Sequence, residues 1–254
     1  MRLLKTVSIL FPLTAVILAT MSCGSGAGTQ LRVVNALSNI QNNNPLDVYV
    51  NNSLINSTPL SYSSVFPTQP NSGPATYTGV PGGSVSIDVY NSPQSTSPPQ
   101  NPIFTNPVTE NLTNGDQYTL VLAGSYNDVS NLPTAYLFTD VNIAPAAGNI
   151  VLHIINASVH TPQGGFSIYI YQSSGGLPAT PQITGLLIGK LATFSPAWVA
   201  STSYAVTIAY PSGAQFYTYY LPSPSNQQIT TLVIQDLQSA ENVEDQPIVM
   251  TDLN

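Results

Sequence analysis

One segment of this 254-residue chain occurs twice, and this repeat limits the folds that the chain can adopt. Residues 31–52 read LRVVNALSNIQNNNPLDVYVNN, and residues 151–172 read VLHIINASVHTPQGGFSIYIYQ. The Asn-Ala pair at 35–36 matches the pair at 156–157 at an offset of 121 residues, and the later apolar run matches at 120. Self-similarity over such a distance indicates one structural module used twice.

Three later segments repeat in the same order. Residues 84–90 (SVSIDVY) match 204–210 (YAVTIAY) at an offset of 120. Residues 117–121 (QYTLV) match 228–232 (QITTL) at 111, and residues 139–142 (TDVN) match 251–254 (TDLN) at 112. The offset falls after Tyr90, because the Pro-rich segment 92–102 of the first copy has no counterpart in the second. A duplication that keeps its strands and changes a surface loop gives this pattern.

Short alternating segments between turn residues predict strands. Leu46, Val48 and Val50 alternate with polar residues, which is the period of two of a half-buried strand. Asn114-Gly115 is typical of a tight hairpin turn, and it precedes an apolar run at 118–122. No sustained helical period follows the amino-terminal segment, so the sequence predicts an all-β protein.

We predict two tandem Ig-like or transthyretin-like antiparallel β-sandwich domains, residues 31–142 and 149–254, joined by a linker at 143–148. A domain of about 110 residues can form its own core without a disulfide, and the chain has a single cysteine, Cys23. A single large barrel is the alternative architecture. The internal repeat argues against it.

Residues 1–22 have the features of a lipoprotein signal peptide. Two basic residues precede an apolar run from Val7 to Ala19, and Cys23 follows a small residue. We predict that Cys23 carries the lipid and that residues 23–30 form a flexible tether. The lipid would anchor the protein in the cell envelope, at the periplasmic or surface face of the outer membrane. The alternatives are an ordinary signal peptide with an incidental cysteine and a transmembrane anchor, which requires about 20 apolar residues.

The charge of the chain excludes one class of partner. Without residues 1–22, only Arg32 and Lys190 oppose eleven acidic residues, so the net charge is about −9. Nucleic-acid binding requires clustered Lys and Arg that neutralise phosphates, and this partner is therefore excluded. We expect contact with the membrane through the lipid.

Catalytic motifs are missing from the sequence. An enzyme requires a nucleophile with a base, a carboxylate pair or a metal cluster. The chain has two histidines, His153 in a predicted strand and His160 in a predicted loop, and it has no GxSxG, HExxH or Cys/His ligand spacing. We expect a non-enzymatic protein without a cofactor. A site assembled in space from a histidine, a carboxylate and a serine is the alternative.

Oxygen ligands of the kind that Ca²⁺ takes occur in three places. They are Asp140 with Asn142, Asp252 with Asn254, and the group Glu241, Glu244 and Asp245. No EF-type loop accompanies them, and solvated strand ends and loops account for them. We therefore predict no metal site.

Tyrosines are the most distinctive surface candidates. Tyr169 and Tyr171 share one face of their strand, and Tyr217 and Tyr219 share one face of theirs. If both faces point outward on one sheet, the four rings form a platform for stacking on sugars or for a protein interface. The alternative is cross-strand packing that only stabilises a sheet.

Four segments of the chain resemble the bacterial domain-of-unknown-function 4397 family: LRVVNALS, PLDVYVNN, YTGVPGGSVSIDVY and LTNGDQYTLVLAGS. The resemblance covers most of residues 31–142 and extends more faintly over 150–254. It implies exported, often lipid-anchored β-sandwich modules in tandem, without known catalytic residues. The sequence therefore favours a non-enzymatic envelope protein with a binding, adhesion or structural role. A carbohydrate-binding accessory module that uses the tyrosines is the alternative.

Overall fold

Seventeen β-strands form the regular structure of the residues that the computed structural model describes, which are 28–38, 45–69, 75–93, 95, 97–104, 108–125, 132–236 and 247–253. Within these ranges no helix has the length and apolarity to cross a bilayer. The strands are β1 (Thr29–Asn35), β2 (Leu46–Val50), β3 (Ser53–Leu54), β4 (Ser64–Phe66), β5 (Thr78–Val80), β6 (Gly83–Asn91), β7 (Val108–Leu112), β8 (Gln117–Ala123), β9 (Thr134–Asp140), β10 (Val151–Asn156), β11 (Phe166–Gln172), β12 (Ile183–Leu186), β13 (Leu191–Phe194), β14 (Tyr204–Ala209), β15 (Gln215–Leu221), β16 (Ile229–Ile234) and β17 (Ile248–Leu253).

The strands form four sheets, which pair into two sandwiches. The first sandwich consists of an inner sheet, β4-β1-β8-β9 with β5 on β1, and an outer sheet, β3-β2-β6-β7. The second consists of an inner sheet, β13-β10-β16-β17, and an outer sheet, β12-β11-β14-β15. The prediction of an all-β protein built of β-sandwich domains is confirmed.

Each sandwich is held by an apolar core between its two sheets. In the first, Val33 and Leu120 of the inner sheet pack with Val48 and Ile87 of the outer sheet. The second core repeats this arrangement with residues such as Ile154, Leu232, Ile168 and Val206. Alternation along each strand produces these cores, because every second side chain points to the same face.

The inner sheets are mixed rather than purely antiparallel, which corrects the predicted sheet type. β1 pairs parallel to β8, and β10 pairs parallel to β16. Sequence alternation does not distinguish the two pairings. Strands of a parallel pair are commonly buried on both faces and read as continuous apolar runs, and β8 has this character over Tyr118–Ala123.

The two sandwiches pack against each other through their inner sheets. A third apolar cluster contains Val34 and Val121 from the first sandwich and Ile155, Val233 and Met250 from the second. The central strands of the inner sheets, β1 with β8 and β10 with β16, are thereby largely buried on both faces. The four sheets therefore stack in the order outer, inner, inner, outer.

Polar contacts also join the sandwiches. The Tyr62 hydroxyl donates to the Asp236 carbonyl, and Gln235 Nε2 donates to Ser63 Oγ at 2.8 Å. The Tyr136 ring packs so closely over Gly189 that a Cβ at that position would overlap it.

Strand pairing shifts two of the sequence matches by one residue. Val48 pairs with Val89 and Ile168 with Ile208, so the β6 and β14 segments correspond at an offset of 119 rather than 120. In the same way, Arg32 pairs with Thr119 and His153 with Thr231, which gives 112 rather than 111 for β8 and β16. Each shift moves every side chain of the segment to the opposite face.

Two local predictions are wrong. Asn114-Gly115 forms a turn, with Gly115 at φ +92°, but β7 pairs with β6 in the outer sheet and β8 pairs in the inner sheet. The turn therefore connects the two sheets instead of closing a hairpin. The predicted tether also ends early, because β1 begins at Thr29, whose buried hydroxyl donates to the Thr113 carbonyl at 3.0 Å.

Several predictions fall on residues that the structure does not describe. The predicted signal peptide, the lipid attachment at Cys23 and most of the tether lie outside the described residues. Glu241, Glu244, Asp245 and Asn254, which were considered as calcium ligands, also lie there.

Candidate functional site

The outer sheet of the second sandwich separates the four predicted tyrosines. Tyr169 pairs with Thr207, and Tyr171 with Ala205, on the side facing away from the core. Tyr217 pairs with Ile208, and Tyr219 pairs with Val206. Because Ile208 and Val206 belong to the core, Tyr217 and Tyr219 point inward and pack against it. The four rings lie on one sheet but on opposite faces, so they do not form a single platform.

Tyr220 takes the place that was predicted for its neighbours. It pairs with Ala205 on the outward side of the sheet, and it is 64% exposed. Tyr219 and Tyr220 are adjacent, so one of them must face each way. We call the surface of Tyr169, Tyr171 and Tyr220 around Ala205 and Thr207 the tyrosine face.

Small side chains lie at the centre of the tyrosine face. Ala205 and Thr207 on β14 are fully buried, although they point away from the core. Tyr171 explains part of this cover: it lies opposite Ala205, but its hydroxyl reaches Thr207 Oγ1 at 3.2 Å. The Tyr171 side chain therefore leans along the sheet toward Thr207, and it remains half-buried.

A chain of hydroxyl groups crosses the tyrosine face. Thr207 Oγ1 lies 3.2 Å from the Tyr171 hydroxyl and 2.8 Å from Thr218 Oγ1. These groups are neutral donors and acceptors. The surface thus combines aromatic faces with uncharged hydrogen-bonding groups.

The corresponding surface of the first sandwich is covered. Tyr49 is the counterpart of Tyr169 at the offset of 120, and it is fully buried. Its hydroxyl donates to the Ser95 carbonyl at 2.5 Å, and its ring meets Tyr90 edge-on at 5.4 Å. Ser95 belongs to the predicted Pro-rich loop, so this loop lies over the face that stays open in the second sandwich.

Among the candidate calcium ligands, Asp140 and Asp252 lie in a buried polar cluster between the sandwiches. Arg32, on β1, is fully buried. It donates to Asp252 from one terminal nitrogen and to Thr119 Oγ1 from Nε at 2.7 Å. Its other terminal nitrogen lies 3.5 Å from Asp140, and the guanidinium lies 5.2 Å from the centre of the Tyr77 ring.

The cluster keeps Arg32 charged. Burial by itself lowers the pKa of Arg32, but the Asp252 and Asp140 carboxylates raise it, and the net shift is upward. Burial also raises the pKa of Asp140. Arg32 and the hydrogen bond from Thr119 lower it, but the net shift is upward. Arg32 therefore forms ion pairs with both aspartates at the interface between the sandwiches. These contacts engage the carboxylates, which are not arranged to bind a metal ion.

A second cluster contains the residue types of a hydrolase triad in a different arrangement. Ser158 Oγ and His160 Nδ1 both contact Asp236 Oδ1, at 2.5 and 2.9 Å. Val159 N also donates to this carboxylate at 2.9 Å. Because Ser158 donates to the aspartate rather than to the histidine, the histidine does not take its proton as the base of a triad does. The cluster fixes the loop after β10.

The described residues contain no group of three or more His, Cys, Asp and Glu side chains that could hold a metal ion. His153 is partly buried on β10, and burial lowers its pKa. Its ring lies near Asp252 and Arg32, which act on its pKa in opposite directions.

Comparison with known proteins identifies the fold family. No curated protein matches the chain. Eight chains of solved structures match. One of them, a streptococcal virulence factor described for alpha-glucan binding, is 11% identical, with 88% of this chain and 97% of that chain covered and a TM-score of 0.28. Similarity at this level carries no argument about the ligand.

A family model matches residues 29–163, which contain all strands of the first sandwich and β10 of the second. The match covers more than half of the chain, and it confirms the resemblance of the strand motifs. The protein belongs to the family described as Domain of unknown function (DUF4397).

Proposed function

We propose that this protein is a non-enzymatic, lipid-anchored binding module of the cell envelope, and that its tyrosine face binds a glycan. One observation carries the proposal. On the outer face of the second sandwich Tyr220 is exposed and Tyr169 and Tyr171 are half-buried, whereas the counterpart tyrosine of the first sandwich, Tyr49, is fully buried beneath the chain's own loop. Sugar rings stack on aromatic faces and hydrogen-bond to hydroxyl groups.

The proposed anchor rests on the amino-terminal sequence. A basic start, an apolar run and Cys23 after a small residue are the features that a lipoprotein peptidase recognises. From Cys23 to β1 there are only five residues, 24–28, so a coil there reaches about 12 Å. The first sandwich then lies beside the outer membrane.

The anchor is tested by labelling cells with a radioactive fatty acid. We expect label in the wild-type protein and none in a Cys23→Ala variant, which should also leave the membrane fraction. Persistence of label in the variant would remove the anchor from the proposal without affecting the tyrosine face.

Glycan binding is tested on an array with the full chain solubilised in detergent. We expect binding, and we expect Tyr171→Ala and Tyr220→Ala each to weaken it by about 3- to 10-fold, which is the range of a single aromatic contact. Ile143→Ala is the matched control, because Ile143 is 76% exposed and lies in the linker, away from the tyrosine face. An array without signal above background would refute glycan binding.

A further inference from the structure

We propose that the ligand of the tyrosine face is an uncharged polysaccharide that lies across the strands, on the Tyr171 and Tyr220 side chains. This inference rests on the proposed function and adds the ligand's charge class and its direction. It follows from the charge distribution of the second sandwich and from the order of side chains across its outer sheet.

Charge is almost absent from the part of the chain that builds this surface. Residues 143–235 contain no Asp or Glu, and Lys190 is their single Lys or Arg. Elsewhere the chain is strongly acidic, with eleven Asp and Glu in total. A surface without positively or negatively charged side chains offers no ion-pair partner for a carboxylate, phosphate or ammonium group.

The Asp, His and Lys residues described in the second sandwich lie on its inner-sheet strands or beside their ends, including His160, which contacts Asp236. His153 and Asp252 belong to inner-sheet strands, and the Asp236 carboxylate is held by the loop that follows β10. Lys190 follows Gly189, which packs on Tyr136 of the first sandwich, and its carbonyl accepts from Asn156 N. The tyrosine face therefore lies on the opposite side of the sandwich from these groups.

The direction of the ligand follows from the strand pairing. Ala205 pairs with Tyr171 on one side and with Tyr220 on the other, so these three residues form a row across β11, β14 and β15. Neighbouring strands are about 4.8 Å apart, so the two tyrosines stand about 10 Å apart. Ala205 between them is fully buried, so a ligand lies on the two tyrosines and does not reach the central strand. An extended oligosaccharide along this row contacts both rings.

Neutral hydrogen-bonding groups lie beside the row. Thr207 and Thr218 form the next pair along β14 and β15, and their hydroxyls are 2.8 Å apart. Tyr169 completes this second row from β11. Thr207 is fully buried, but Thr218 and Tyr169 are half-buried and can exchange hydrogen bonds with sugar hydroxyls that lie over the first row. None of these contacts requires an ion pair.

The net negative charge of the chain adds little at this face. The eleven acidic residues lie outside residues 143–235, and charges farther away than about 8–10 Å are largely screened at the ionic strength of the envelope. A neutral polysaccharide needs no charged partner here. Its binding should therefore depend little on salt.

The test compares polysaccharides of different charge by affinity electrophoresis with the full chain in detergent. The probes are soluble neutral glucans, mannan and galactan, together with polygalacturonate and chitosan as the anionic and cationic members. We expect retardation by at least one neutral polymer, with a change of less than about twofold between 0.05 and 0.5 M salt. Retardation by a charged polymer, where it occurs at low salt, should be the same in the Tyr171→Ala variant.

Variants locate the binding and separate the outcomes. Tyr171→Ala and Tyr220→Ala should each reduce retardation by about 3- to 10-fold and together by more, while Ile143→Ala leaves it unchanged. Binding restricted to polygalacturonate or chitosan, or lost in high salt, would overturn this inference but keep glycan binding. Retardation by none of the polymers, with Tyr171-dependent capture of an envelope protein, would overturn both proposals. Circular dichroism of each variant checks that the fold is retained.

Discussion

Replacing Arg32 by Met should destabilise the protein strongly at neutral pH. The substitution keeps an unbranched side chain of similar length but removes the charge that faces Asp252 and Asp140. Both carboxylates stay buried. Removing one partner of a buried ion pair costs about 3–5 kcal/mol, whereas a surface pair contributes about 0–1 kcal/mol. We expect a loss in the first range, because Arg32 is fully buried.

The loss should depend on pH in a defined direction. Burial already raises the pKa of Asp140 in the wild type, and Arg32 is the main group that lowers it. Without Arg32 the repulsion from Asp252 is no longer offset, so the folded-state pKa of Asp140 rises further above its unfolded value. A raised pKa means that the stability is present below the unfolded pKa and is lost as pH rises through the folded pKa. The variant should therefore recover part of its deficit between pH 7 and pH 5.

Urea unfolding at pH 7 and pH 5 measures both effects. The single tryptophan, Trp198, reports on the second sandwich, and far-ultraviolet circular dichroism reports on the whole chain. Asp140→Asn in the Arg32→Met background is the control, since it removes one of the orphaned carboxylates and should restore stability. A deficit below about 1 kcal/mol at pH 7, or one that is equal at both pH values, would refute the reasoning.

Three further variants test other parts of the structure. His153→Gln should flatten the decline in stability as pH falls below about 6.5, because burial lowers the pKa of His153 and the unfolded chain binds the proton first; equal pH profiles in chemical unfolding would contradict this. Tyr49→Phe should cost about 1 kcal/mol and speed proteolysis of the Pro-rich loop, since the hydrogen bond to Ser95 is lost; unchanged cleavage would show that the bond does not hold the loop. Gly189→Ala should lower the melting temperature by several degrees, because the φ of +70° is strained for alanine and the new Cβ would overlap Tyr136. A melting temperature equal to that of the wild type would contradict the tight packing.

The strands of this fold were predictable because their information is local. Alternation over residues such as Leu46, Val48 and Val50 defines a strand and its buried face without knowledge of its neighbours. The repeat then defined a second module of the same kind, and the structure confirms the β-sandwich class. The pairing of strands was less accessible. Asn114-Gly115 has the residues of a hairpin turn, but the same turn serves a connection between two sheets.

A register error of one residue hides the residues at the centre of the tyrosine face. When the β6 and β14 segments are matched at an offset of 120 residues, Ala205 and Thr207 correspond to Val85 and Ile87, which are core residues. The observed offset of 119 places them on the outward face instead. Similar residues at both registers made the sequence match ambiguous, since both segments alternate between apolar and small or polar side chains. Hydrogen bonding between strands decides the register.

The tyrosines show the same limit at the level of single side chains. Alternation correctly grouped Tyr217 with Tyr219, but it did not tell which face of β15 points toward the core. Arg32 shows a second limit, because its partner Asp252 is 220 residues away in sequence. A lone arginine in an apolar strand indicates a buried partner. The identity of that partner depends on how the two sandwiches pack.

The packing of the inner sheets also determines where this protein can bind a ligand. The apolar cluster and the Arg32 contacts bury the inward faces of both sandwiches, so within the described part of the chain the two outer sheets are the broad faces left to solvent. On the first outer sheet the Pro-rich loop covers Tyr49. The second copy has no counterpart of that loop, and there Tyr169 and Tyr171 are half-buried and Tyr220 is exposed. Duplication thus yielded one copy whose outer face is covered by its own chain and one whose outer face is open, and we expect binding on the open one.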